Sequence, residues 1–211
     1  MPANPDDGPA FFVDLNAWWL LATPDSADVP GLVGDWVDRR PELKPHHDRL
    51  VDVYGSAVRN ATDATAVGML ALPVETDLYT GLLFAYLGGA DLPTQPDDLL
   101  TAVRAENPML ADGAGDSGLV TLAGGGTAAR VRLLDQAQVD GLPVVPAEDV
   151  PDADDEDDED GAIFDTVRYF IPHPRADLLA ELVFQTGQIT VGDALVDQAD
   201  QVLRTFRWGE D

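Results

Sequence analysis

With 211 residues and 45% apolar composition the chain can bury a full core, so its formal net charge of −27 does not signal wholesale disorder. It has no cysteine, which excludes disulfides, thiol catalysis, iron–sulfur clusters and cysteine-ligated zinc. The acidic field repels nucleic acid and anionic lipid and favours basic partners or cations.

Eight of the acidic residues fall within 151–160, and the remainder of the chain is acidic too. The acids are mostly Asp and the bases almost all Arg, with Lys44 the single lysine. That bias fits a GC-rich genome, actinobacterial or haloarchaeal; in a halophile the acidity would be salt adaptation and not a binding feature. No stretch approaches the ~18 uninterrupted apolar residues of a spanning helix. The first residues lack the basic and apolar regions of a secretion signal, so a cytoplasmic protein without membrane insertion is expected.

In chain order, residues 1–9 carry three prolines and read as a flexible tail. Phe11-Phe-Val-Asp-Leu-Asn reads as a strand that Ala17-Trp-Trp-Leu-Leu-Ala continues. On a strand Trp18 and Trp19 point to opposite faces, so they fill core on different sides of a sheet, or one is exposed and is a candidate surface anchor. Asp28 to Arg40 predicts a short helix capped by Asp28 and stopped by Pro41. A longer amphipathic helix is predicted over 45–62, with Leu50, Val53, Tyr54, Ala57, Val58 and Ala61 on one face. Ala66–Val74 and Leu78–Leu87 are two apolar runs around Pro73–Asp77, a hairpin covered on both faces.

Asp97–Asn107 predicts a short helix with acids in its first turn and Pro108 beyond its end. Residues 109–117 read as a loop, and 118–123 and 127–134 as strands joined at Gly124-Gly-Gly. Alternation puts Arg130 and Arg132 on one face, with Val131 and Leu133 on the other. Residues 136–161 are rich in Pro and Asp and read as a disordered acidic insertion inside one domain spanning 10–208. Phe164–Pro172 and Leu178–Thr186 then read as an antiparallel hairpin, followed by a helix from Asp193 that ends at Trp208. Val167, Tyr169, Ile171, Leu182, Phe184, Leu195, Leu203 and Phe206 are the expected core of this unit.

No motif points to enzyme chemistry. From Asp152 or Asp154 the acid run lacks the glycine at the sixth position and the glutamate at the twelfth that a calcium loop requires. Gly124-Gly-Gly lacks the Lys-Ser/Thr ending of a phosphate loop. His46 and His47 are adjacent and cannot share a helical face, and His173 sits between two prolines. Ser26, Ser56 and Ser117 lack a nucleophile-elbow context.

Taken together, Phe11-Phe-Val-Asp-Leu with the tryptophans after it, the helix ending near Asn60, the hairpin Met69–Tyr86, Gly124–Arg132, Val167-Arg-Tyr-Phe-Ile-Pro, Leu182-Val-Phe-Gln-Thr and the terminal Leu203-Arg-Thr-Phe-Arg-Trp form an ordered set. This order resembles a group of actinobacterial proteins of unassigned function with a Mog1/PsbP-like fold. In that group a Tyr-x-x-Pro strand leads to a strand ending in Phe-Ser-Thr, replaced here by Phe184-Gln-Thr, and a helix then ends in an aromatic pair with arginine. The resemblance implies an α/β (α+β) sandwich with an antiparallel sheet of about six or seven strands between helices. It brings no catalytic residues. Known examples assist a small GTPase, support the photosynthetic oxygen-evolving complex or act in mycobacterial envelope biology. Fold does not fix function, so none of these roles transfers.

The expected function is a non-enzymatic protein-binding or accessory module without cofactor or metal, acting on a protein partner, with basic charge favoured. Candidate contacts are whichever of Trp18, Trp19 and Trp36 is exposed, and the acid-run residues Asp154, Asp155, Asp157 and Asp158. The sheet face that the last helix leaves open is a further candidate. One alternative is a small-molecule or lipid carrier, which requires an apolar pocket between sheet and helix above ~300 Å³. Another is a metal-dependent enzyme, which requires carboxylates converging in one cleft.

Overall fold

Two consecutive strands set the architecture, because their side chains alternate between unlike environments. β7 (Ala162–Pro172) and β8 (Leu178–Thr186) pair antiparallel, with Val167 opposite Phe184 and Tyr169 opposite Leu182. These four side chains, with Ile171 and Ala180, are fully buried on one face of the sheet. Their neighbours Thr166, Arg168, Glu181, Val183 and Gln185 turn to the other face.

In the computed structural model, residues 11–23, 28–61, 63–74, 77–89, 93, 95–106, 110, 115–123, 126–137, 162–175 and 177–209 are described. The remaining elements are β1 (Phe11–Phe12), β2 (Trp19–Ala22), α1 (Val29–Asp38), α2 (His47–Asn60), β3 (Ala66–Val74), β4 (Asp77–Gly89), α3 (Pro96–Glu106), β5 (Gly115–Thr121), β6 (Thr127–Ala137), α4 (Gly192–Leu203) and β9 (Arg207–Trp208). Seven strands form one antiparallel sheet in the order β2-β3-β4-β8-β7-β6-β5, and β1 pairs with β9 in a two-stranded piece. Helices lie on both faces, so the architecture is the expected α+β sandwich.

We call the face under α4 the front. There Leu195, Ala199, Val202 and Leu203 of α4 and the following Phe206 pack on Trp19, Leu70, Leu83, Tyr169, Leu182 and Phe184. On the back, α1 and α2 press Trp36, Val37, Leu50 and Tyr54 onto Val67, Met69 and Leu82 of β3 and β4. The Tyr54 hydroxyl donates to the Val67 carbonyl at 2.8 Å, which pins α2 to its strand. α3 covers the other flank, with Leu99 and Val103 on Ala129, Val131, Leu133 and Phe170.

Several boundaries differ from expectation. Phe11 to Ala22 is not one strand. Asn16 Oδ1 accepts the Trp18 N–H at 2.9 Å and the Asn16 carbonyl accepts the Trp19 N–H at 3.1 Å, so an asparagine turn separates β1 from β2. Residues 41–46 form a separate 3₁₀ turn ahead of α2. β5 begins at Gly115, inside the expected loop. β6 continues through Gln136 and Ala137, which pair with Ile163 and Ala162, so the expected 136–161 insertion is shorter at its start. The last helix stops at Leu203, and Arg207 and Trp208 become β9 because they pair with Phe12 and Phe11. Phe11 stacks on Phe206 at 5.4 Å, and Trp208 meets Phe206 edge-on at 5.3 Å.

Candidate functional site

On the front face, Arg130 and Arg132 project beside α4, where they meet carboxylates from three other elements. Arg132 grips Asp165 of β7 through two hydrogen bonds, 3.0 and 2.7 Å, and Asp193 of α4 at 2.7 Å. Asp165 is 1% exposed and Asp193 is 95% exposed, so only the first pair is shielded from water. The hydrogen bond to Asp165 holds the Arg132 pKa above its ordinary value, with Asp193 adding to it against the burial cost. A β-carbon at Gly192 would lie 1.7 Å from Asp165 Oδ2, so only glycine lets the start of α4 approach this pair. Arg130 bridges Asp116 at 2.8 Å and Asp200 at 3.6 Å, and the Tyr169 hydroxyl donates to Asp200 Oδ1 at 2.6 Å.

These carboxylates converge, yet each is engaged by a guanidinium. Among the described residues, no three His, Asp or Glu side chains are placed to hold a metal ion. A cleft of about 340 Å³ opens beside the network, lined by Asp116, Arg132, Leu134, Asp165 and Ile189 among others. The network ties α4 to the sheet.

The back face is different. α1 and α2 cover β2, β3 and β4, and α3 covers β5 and β6, but the middle of the sheet between these flanks carries polar side chains. Cross-strand register places Tyr86 beside Glu181, with Val183 beside Arg168 and Gln185 beside Thr166 in successive rows. Arg168 Nε and Nη2 both reach Glu181 Oε1, at 2.7 and 2.6 Å. The Arg168 guanidinium lies 5.1 Å from the centre of the Phe170 ring. Gln185 Nε2 donates to Thr166 Oγ1 at 3.3 Å. Burial raises the Tyr86 pKa first and the Glu181 charge adds to it, while Arg168 opposes.

Together these groups floor a depression of about 250 Å³. Arg168, Glu181 and Gln185 are partly exposed, as polar side chains are where one face of an antiparallel sheet meets water, while Thr166 and Val183 between them are buried. The ion pair is already formed within the strip, and its partial exposure keeps its contribution to stability below ~1 kcal/mol.

Two of the three tryptophans are ruled out as surface anchors. Trp19 is 6% exposed and Trp36 2%, because both fill core clusters. Trp18 sits in the turn before β2 and is half-buried against both cores. The Arg40 guanidinium lies 5.8 Å from the Trp18 ring and 5.3 Å from the Trp36 ring, and it donates to the Ala17 and Trp36 carbonyls. This arrangement clamps the chain before β2 to α1. Asp154, Asp155, Asp157 and Asp158 lie outside the described residues. His173 is buried, with its ring 4.7 Å from Trp208, and His47 contacts Asp48 at 3.0 Å, so the structure does not bring the two together. The strip residues carried a readable signal: Thr166, Arg168, Glu181 and Gln185 interrupt the apolar alternation of β7 and β8.

No protein-family model and no curated protein matches the chain. Among solved structures, a crystal structure from Bacteroides thetaiotaomicron VPI-5482 is similar at 14% identity and a TM-score of 0.33. The similarity covers 69% of this chain, which spans 46% of that one.

Proposed function

We propose that the chain is a non-enzymatic binding or accessory module that presents the back-face strip of β7 and β8 to a protein partner. One observation carries this reading: among the described residues no helix covers the middle of β7 and β8 on the back face, where Arg168, Glu181 and Gln185 stand partly exposed, while helices cover both flanks. The preformed Arg168–Glu181 pair gives the strip fixed polar contacts at little ordering cost. The net charge of −27 favours a partner whose contact surface is basic.

The carrier reading is less well supported. The space between α4 and the sheet is filled by side chains, and the cleft of about 340 Å³ is lined by charged Asp116, Arg132 and Asp165. A metal-enzyme reading would need carboxylates free to coordinate, whereas those of the front face are held by arginine. Antiparallel strands between helices support the Mog1/PsbP-like resemblance at the level of architecture, and an actinobacterial source and cytoplasmic location belong to the same proposal. No helix among the described residues is long and apolar enough to cross a membrane.

Photo-crosslinking in the source cell tests the reading. A photoreactive residue at Gln185 is expected to capture a discrete partner, and Glu181→Lys is expected to abolish that adduct. Capture that is absent, or indifferent to Glu181→Lys, would sink the proposal.

A further inference from the structure

At one end of the back-face strip, polar groups are left over. Both Arg168 contacts to Glu181 fall on a single oxygen, Oε1, so Oε2 stays available as an acceptor on a side chain that is 20% exposed. Tyr86 stands beside Glu181 in the β4–β8 register and lines the same depression of about 250 Å³. On the other side of β4 the chain enters β3, where the Thr65 N–H donates to the Ala85 carbonyl at 2.7 Å and brings Asp63 towards Tyr86. Asp63 is exposed. Among the described residues neither its carboxylate nor the Tyr86 hydroxyl has a hydrogen-bond partner, and Asp63 has no ion pair. Burial raises the Tyr86 pKa first; the Glu181 charge adds to the rise, Arg168 opposes it, and Asp63 adds again, so both carboxylates act on this ring. Gly88, the next residue of β4 on this face, is exposed, and a β-carbon there would meet no atom within 4 Å. A side chain can therefore reach Tyr86 from that end.

We propose that this end of the strip takes an arginine side chain of the protein partner, held over the Tyr86 ring between Glu181 and Asp63. The inference rests on the strip being a contact surface and names the group that anchors there. A guanidinium is planar, so it can stack on an aromatic ring while its N–H groups donate outward to carboxylates on either side. Glu181 and Asp63 stand against one cation, Arg168, which leaves a local negative charge for the incoming group to balance. The net charge of −27 steers a basic segment towards the chain, and these open acceptors give it a defined place to land.

The full chain can be titrated at physiological salt with two blocked alanine peptides, one carrying a central arginine and the other a central citrulline, with amide shifts read by NMR. The arginine peptide is expected to shift residues around Tyr86, Asp63 and Glu181. It should bind about tenfold tighter than the citrulline peptide, which keeps the shape and loses the charge. Tyr86→Leu and Asp63→Asn should each weaken it by about threefold. Asp193→Asn, at an exposed carboxylate on the front face, should leave it unchanged. Shifts spread over the whole acidic surface, equal binding of the two peptides, indifference to both Tyr86→Leu and Asp63→Asn, or loss with Asp193→Asn would each overturn the proposal. Partner capture at Gln185 is read separately. Its absence would remove the strip reading, whereas a flat titration beside intact capture would remove only the arginine.

Discussion

The two faces of β7 and β8 are built from alternate residues of the same twenty, yet they serve different ends. The front takes one helix, fills its interface with aromatic and branched side chains, and uses buried charge to lock α4 in place. The back takes helices on both flanks and keeps a partly exposed ion pair between them. An ion pair therefore means different things on the two sides. Asp165 is enclosed, so removing it leaves Arg132 with only its exposed partner Asp193. Glu181 and Arg168 are partly reached by water, so their pairing adds little to stability.

Adjacent residues give the largest expected contrast. Phe184→Ala removes a ring packed edge-on against Trp19 and Tyr169, and should cost ~3–5 kcal/mol by denaturant unfolding. Gln185→Ala, one residue on and facing the strip, should cost less than ~1 kcal/mol. If the two matched, the division of faces would be wrong.

Next come two carboxylates on one guanidinium. Asp165→Ala should cost ~2–3 kcal/mol, at the low end for a broken buried pair because Arg132 keeps Asp193 and some solvent contact. Asp193→Ala should cost at most ~0.5 kcal/mol, as an exposed pair does.

The strip pair should be worth less than the buried pair on the front. A double-mutant cycle on Arg168 and Glu181 is expected to return a coupling under ~1 kcal/mol, largely lost in high salt. A larger, salt-insensitive coupling would make the strip a structural element and remove the ground for calling it a contact surface.

Alkaline titration sharpens the comparison further. All four tyrosines have raised pKa values: Tyr54, Tyr79 and Tyr169 through burial first, with Asp165 adding at Tyr79 and Asp200 at Tyr169, and Tyr86 through burial and then Glu181. A raised folded-state value adds stability that is fully present below the unfolded tyrosine pKa of ~10 and is lost as pH rises towards the folded value. Tyrosinate absorbance should therefore lag behind that of free tyrosine above pH ~10, then rise together with unfolding. Any signal that precedes unfolding should come from half-buried Tyr86, and Tyr86→Phe should remove it.

Much of the core was legible before any coordinates. Val167, Tyr169, Ile171, Leu182, Phe184, Leu195 and Leu203 are all fully buried, as their alternation and helical spacing predict. The hairpin of β3 and β4 was equally plain, because both runs are apolar and the turn between them is short. The adjacent tryptophans were legible as packing on opposite sides of the sheet, but the groups that cover them were not. Trp19 is buried against Phe184 of β8, and Trp18 and Trp36 meet Arg40, contacts made only after folding. Residues 207–208 read as helix because nothing local announces their partner, which lies at the other end of the described chain.

Local pattern thus determined the element types, the buried side of each strand and helix, and the lack of any recognisable catalytic motif, because these depend on neighbours within a few residues. Tertiary structure alone decided that β8 lies between β4 and β7, that two helical units cover the flanks of the back face, and that β5 is left as an edge. Each of these follows from pairings between distant segments, whose free energy is set by total burial across the sheet and leaves no trace in any single stretch.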